Sequence, residues 1–333
     1  MTGADLPPRA PAPVAGARAA GRSQPSAAIS GRLASGYLQG VLLVALAGVF
    51  WSLGGILVRS VEAAGAWQII FYRSLALAFS LLLIVAVRHR GRLARAFGQA
   101  GWNGVLAGAC LSAGFIGYVL SLYHTSVANA VFMLGTAPFF SAVLGRFFLG
   151  ERVRRATWLA MTLALSGIAV MVAGSLVGGT ILGNLLALTA GISFAGFNVL
   201  LRYGRANDML PAVVIAGLIA ALIAAAVVAA SADDAGLWAA FVLGARDLLL
   251  CLTMGSVQVG LGLTVFTIGA RHVPAVELAL LAMTELVLAP LWVWLGVGEV
   301  PSAFTLAGGA VIMMAIACQA LAGVRGRRLP PMV

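Results

Sequence analysis

After its first three dozen residues the chain is almost entirely ten apolar runs separated by short polar or basic connections. The runs cover residues 41–58, 67–87, 102–121, 126–149, 157–174, 182–201, 210–230, 247–269, 275–296 and 303–322. A helix that crosses the hydrocarbon of a bilayer uses about 20 apolar residues, and each run is close to that length. The pattern predicts ten transmembrane helices and an all-α integral membrane protein. Residues 1–36, rich in Pro, Ala, Gly and Ser, have no apolar core of the kind a signal peptide carries. They are expected to form a disordered cytoplasmic tail. Helices 1–5 then fill residues 37–175, helices 6–10 fill 180–323, and 324–333 form a short basic cytoplasmic tail. Between Ser231 and Arg246, Trp238 and Phe241 among small residues suggest an interfacial segment.

Composition excludes a soluble domain. Of 333 residues, 62% are hydrophobic and 9% charged, where soluble chains carry about a quarter charged. The net charge is +11, and every basic residue is Arg. Without Lys there is no P-loop nucleotide site and no pyridoxal or retinal Schiff base. The basic excess fits the positive-inside rule better than a nucleic-acid partner. With the N-terminus inside, the cytoplasmic side holds the tail arginines and those of the loops at 88–95, 152–155, 202–205 and 271, whereas Arg59 and Arg246 fall outside with Asp233 and Asp234. Both termini are therefore expected in the cytoplasm, with the protein in the cell (inner) membrane. Cys110, Cys251 and Cys318 sit singly in apolar runs, so neither a disulfide framework nor a metal site is expected, and no cofactor is called for.

An internal repeat sets the architecture. A shift of 143 lays GVLLVALAGVFWSLGGILVR (40–59) on GNLLALTAGISFAGFNVLLR (183–202). A shift of 148 pairs Gly114 with Gly262, His124 with His272, Gly150 with Gly298 and Glu151 with Glu299. Each copy holds five helices, and an odd number makes the two copies face opposite ways. Two inverted repeats with a site near the midplane are the signature of secondary transporters.

The segments TAPFFSAVLGRFFLGERV (136–153) and TELVLAPLWVWLGVGEV (284–300), with FYRSLALA around Arg73, resemble the EamA family of the drug/metabolite transporter superfamily. The second segment departs from the family pattern by placing Leu286 after the acid where Pro is common, with Pro290 one turn later. The resemblance spans about residues 40–322. It implies a central cavity surrounded by helices 1–4 and 6–9, helices 5 and 10 at the periphery, and export or exchange of small metabolites.

Features found in both copies are read as scaffold. Gly150–Glu151 and Gly298–Glu299 are expected helix ends, and Glu277 after Pro274 an acid at a helix start. Arg73 and Glu285 differ, because their repeat partners are apolar: Ala216 or Ala221, and Ala137. A charge at the bilayer centre costs about 2.5–3.5 kcal/mol on the insertion scale. The two residues lie at depths about 7 Å apart, so they form either a structural ion pair or the charged centre of a transport path. Trp51, Tyr72, Tyr118, Asn198 and Gln258 are expected to line the same cavity; for Asn198 and Gln258 the alternative is a hydrogen bond between helices. Trp292 and Trp294 are read as lipid-facing or interfacial anchors. Pro138 and Pro290 are expected to interrupt helices 4 and 9 near their middles, as kinks that gate the path or as structural kinks without motion.

The sequence therefore points to a secondary transporter that moves a small metabolite, most plausibly an amino acid or a similar zwitterion, by alternating access. Its partners are that solute and the lipid bilayer; both a monomer and a homodimer fit. Two other classes compete: a membrane-embedded acyl or prenyl transferase, which would need an acidic or His-Asp cluster at one membrane face, and a membrane interaction protein that does not transport.

Overall fold

The computed structural model describes residues 25–125, 127–173, 180–231, 236, 238–298, 300 and 302–328. Among them are ten helices long and apolar enough to cross a membrane, numbered here as spans. Spans 1–5 are Gly36–Val58, Ala66–Arg88, Leu93–His124, Asn129–Leu149 and Arg155–Val172. Spans 6–10 are Ile181–Tyr203, Leu210–Ala230, Ala245–Gly269, Ala275–Gly296 and Ala303–Val324. The first helix begins at Pro25, inside the stretch expected to be tail. Proline suits a helix's first residue, and no second one follows to stop the Ala- and Ser-containing run. Residues 1–24 and the expected outer pair Asp233 and Asp234 lie outside the described residues, as does Glu299.

In hydrocarbon every backbone polar group must find its partner within the protein, which favours unbroken helices. Besides a kink at Gly101 in the early part of span 3, four spans nevertheless change character midway. Span 1 passes from the helix Pro25–Ser52 to Gly54–Arg59. Span 4 is split into Val127–Leu134 and Ala137–Leu149. Span 9 is split into Ala275–Ala282 and Thr284–Val297. Span 8 carries a π-helical stretch, Met254–Leu261, between two α-helical pieces.

The breaks in spans 4 and 9 fall at equivalent places: Gly135–Thr136 and Met283–Thr284 are related by the shift of 148. The threonine of each donates its hydroxyl to the carbonyl three residues back, Thr136 to Met133 at 2.5 Å and Thr284 to Leu281 at 2.7 Å. Each second half-helix ends in a left-handed glycine, Gly150 with φ 66° and Gly298 with φ 77°. Pro138 accordingly stands at the start of a half-helix, not in the middle of a continuous one. Pro290 lies inside Thr284–Val297, seven residues beyond the break at Met283. The kink expected at Pro138 is thus a break just before it, whereas the break in span 9 lies about two turns before Pro290. Proline supplies no N–H to the carbonyl four residues back, which here belongs to Leu134 and Leu286.

Small residues set the packing. A Cβ on Gly308 would collide with the backbone of Gly167, so spans 10 and 5 meet backbone to backbone. Span 7 packs against spans 2 and 3. There Gly217 faces Ser74 and Ala78, and Gly108 faces Ala212 and Ile215.

Candidate functional site

A cavity of about 910 Å³, counting the space at its mouth, opens where the broken spans converge. Its lining comes from spans 1, 2, 3, 4, 6, 8 and 9. Spans 5 and 10 contribute nothing, and neither does span 7, which stands behind spans 2 and 3 instead of joining the wall. Most of the wall is made of repeat-related pairs: Trp51 with Phe194 at the shift of 143, Leu111 with Val259 and Phe115 with Leu263 at the shift of 148. The two helix breaks face each other across it, through Gly135 and Ala137 on one side and Met283 and Glu285 on the other.

Two charges interrupt this apolar symmetry. Arg73, about two turns into span 2, is 9% exposed and holds its guanidinium 5.2 Å from the centroid of the Phe115 ring. Its Nη2 is buried without a hydrogen-bond partner. Glu285, half-buried, opens the second half-helix of span 9. Both line the cavity, yet no ion pair within 4.0 Å joins them. Tyr118 also lines it. Gln258, on the π-helical turn of span 8, donates its Nε2 to the Trp51 carbonyl at 3.0 Å. That bond ties the wall to the end of the first half of span 1, a half-helix terminus that needs an outside donor.

Two layers separate the cavity from the face that carries the chain's described ends and most of its arginines. The first is aromatic. Trp51 and Phe266 have centroids 5.1 Å apart, Phe194 and Phe266 5.8 Å, and Phe197 and Phe266 6.4 Å. Phe197 and Phe266 are fully buried and near the ends of spans 6 and 8. The second is ionic. Arg202 Nε meets Glu151 at 2.9 Å, and Arg202 Nη1 donates to the Arg271 carbonyl at 3.0 Å. Arg271 reaches Asp208 at 3.3 Å, and His89 Nε2 meets the other Asp208 oxygen at 3.0 Å. Glu151, read from the sequence as a helix-end acid, thus also joins span 4 to span 6. On the same side Tyr37 donates to the buried Glu277 at 2.7 Å, linking spans 1 and 9.

Known proteins share parts of this sequence and fold. Residues 38–173 match the model of the EamA-like transporter family. That match covers the first five spans. Two strains of Pseudomonas aeruginosa, UCBPP-PA14 and PAO1, each carry a relative named Pseudopaline exporter CntI. Each is 29% identical over 287 residues, 85% of this chain and 95% of the relative. A protein of Vibrio cholerae named as an uncharacterized transporter is 25% identical over 170 residues, 49% of this chain and 53% of the relative. A solved crystal structure shares the fold with a TM-score of 0.71 at 18% identity, covering 85% of this chain and 97% of the other. The chain is therefore a multi-pass membrane transporter.

Two residues expected in the lining of this cavity lie elsewhere. Tyr72 donates its hydroxyl to the Phe241 carbonyl at 2.6 Å, outside the cavity. Successive helix positions diverge by about 100°, so Arg73 faces inward while its neighbour faces the segment after span 7. Asn198 is 0% exposed and is not part of the lining. Trp292 is no simple lipid anchor, because its Nε1 donates to Ser52 Oγ at 2.7 Å; Trp294 is exposed.

Three features were missed by sequence reasoning. Phe115 and Phe194 had a signal, since one lies a turn from Tyr118 and the other is the repeat partner of Trp51. Asp247 had only its isolation at the start of an apolar run as a signal. Its carboxylate accepts from the backbone N–H groups of Glu62, Ala63 and Ala64 at 3.2, 2.9 and 3.1 Å. It thereby fastens the connection between spans 1 and 2 to span 8 on the face opposite the arginines, where Arg246 and Glu62 also pair.

Proposed function

We propose that this transporter moves a small zwitterionic metabolite out of the cytoplasm by alternating access between two inverted five-helix repeats. The arginine-rich face is the cytoplasmic one, and both termini lie on it. One observation carries the reading: a buried guanidinium with an unpartnered Nη2 and a carboxylate that does not neutralise it share a largely apolar and aromatic cavity with Gln258 in its wall. A desolvated guanidinium presents a planar fork suited to a carboxylate, and Glu285 offers the matching acceptor for an ammonium group or a proton. The aromatic walls hold the solute between them. The arrangement is cytoplasmically closed, the state in which an exporter releases its cargo.

The test is transport in proteoliposomes against a panel of amino acids and related zwitterions. Pseudopaline, the solute named in the Pseudomonas relatives, belongs in that panel. The expected solute carries both a carboxylate and an amine, and blocking the carboxylate abolishes its transport. Arg73→Ala is expected to weaken binding by about 10–100-fold, since hydrogen bonds to charged groups contribute about 1.5–3 kcal/mol. Glu285→Gln is expected to fold normally and to lose the pH dependence of transport. A transported solute that lacks a carboxylate and is indifferent to Arg73→Ala refutes the reading.

A further inference from the structure

Asn198 stands out among the groups that the cavity leaves unexplained. It is fully buried in span 6, and neither its Nδ2 nor its Oδ1 has a hydrogen-bond partner. Asparagine has two donors and an acceptor with two lone pairs to satisfy, and nearly all buried polar side chains in native structures are satisfied. A structural asparagine linking helices would show that link, as Asn103 does by donating to the Leu200 carbonyl at 3.0 Å. Asn198 is unpartnered on both sides of its amide, which points to a second state in which partners arrive.

Its position says which state. Residues four apart on a helix lie one above another, and the sequence Ala190, Phe194, Asn198, Arg202 forms such a stripe along span 6. Ala190 and Phe194 line the cavity. Phe194 also belongs to the aromatic layer, and Arg202 holds the ionic layer through Glu151. Asn198 therefore sits between the two closures, on the stripe that runs from the cavity to the arginine-rich face.

We propose that Asn198 is a polar station on the solute's route between that face and the cavity. It is hidden here and engages the solute, and the water around it, when the aromatic and ionic layers part. Its amide both donates and accepts, which suits a zwitterion with an ammonium and a carboxylate. This assignment rests on the alternating-access reading above. It adds a contact made only in the state open to the arginine-rich face, distinct from the Arg73 and Glu285 pair within the cavity.

Two measurements test it, with Arg73→Ala run alongside. Asn198→Leu, nearly isosteric, removes both unpartnered groups; it is expected to keep or raise the thermal unfolding temperature while lowering transport at least tenfold. Lowered stability, failure to fold or intact transport would overturn the proposal. Asn198→Cys, in a transport-competent background with Cys110, Cys251 and Cys318 replaced by Ala, is expected to react slowly with a water-soluble maleimide. Opening the ionic layer with Glu151→Ala and Arg202→Ala should speed labelling at least tenfold; an unchanged rate overturns the proposal. If Asn198→Leu blocks transport but Arg73→Ala does not, the route stands and the cavity assignment fails; the reverse result sinks only the route.

Discussion

The broken spans 4 and 9 are the same device built twice, and they differ at the residue that matters. Each breaks at the repeat-equivalent position, closes the break with a threonine hydroxyl on the carbonyl three residues back, and ends in a left-handed glycine. One residue past the threonine, the first copy has Ala137 and the second Glu285, and both face the cavity. What the copies share is what the fold requires to bring two helix breaks together. What they do not share is costly in a membrane, and the proposed function assigns it to transport, since Ala137 stands in the first copy without it. Arg73 follows the same logic: its counterparts Ala216 and Ala221 are buried in span 7, away from the cavity.

The strongest way to break this comparison is to make the second copy like the first. Glu285→Ala is expected to leave the fold and its thermal stability intact while reducing transport about 10–100-fold, the loss expected for one hydrogen bond to a charged group. Transport rates and unfolding temperatures of the same purified protein decide it. A variant that transports normally, or one that unfolds, would place Glu285 with the scaffold.

How far the sequence reveals this division depends on which physical term controls each feature. The ten spans and the unusual cost of Arg73 and Glu285 are local properties of composition and depth, and they are legible from residues alone. Which way a side chain faces is a property of neighbours. Tyr72 and Asn198 sit at suitable depths, yet one turns to the Phe241 carbonyl and the other lies below the cavity. The break at Met283 carries neither Gly nor Pro, and the π-helical turn around Gln258 has no signature in its residues; tertiary packing decides both. Gly255 in that turn shows the constraint, because a Cβ there would collide with the Arg73 carbonyl. The repeat also relates Phe194 to Trp51 and Leu263 to Phe115 by the two shifts.

The terminal glycines sharpen the comparison at the next level of effect. Gly150 and Gly298 both hold positive φ with nothing near enough to obstruct a methyl group, so alanine meets only the backbone penalty, about 1–2 kcal/mol for a left-handed residue. Gly150→Ala and Gly298→Ala are expected to lower the stability of the detergent-solubilised protein by similar amounts while the Kd for solute is retained. A large loss at one site alone would mean that the two ends are not equivalent scaffold.

The smallest effect is the most discriminating, because it touches the breaks themselves. Thr136 and Thr284 each add a hydroxyl donor to a carbonyl in the last turn before the break, and valine keeps the shape while removing that donor. A neutral hydrogen bond contributes about 1 kcal/mol, so Thr136→Val and Thr284→Val are each expected to lower thermal stability by that order. Their double variant should lose roughly the sum if the two breaks act independently. Transport is where the copies part. Thr136 precedes Ala137, which carries no charge, whereas Thr284 sets the start of the half-helix that aims Glu285 at the cavity. Thr284→Val is therefore expected to lower transport several-fold more than Thr136→Val at equal cost in stability. Equal transport losses would show that both breaks serve only the fold, and that the position of Glu285 does not depend on how its half-helix begins.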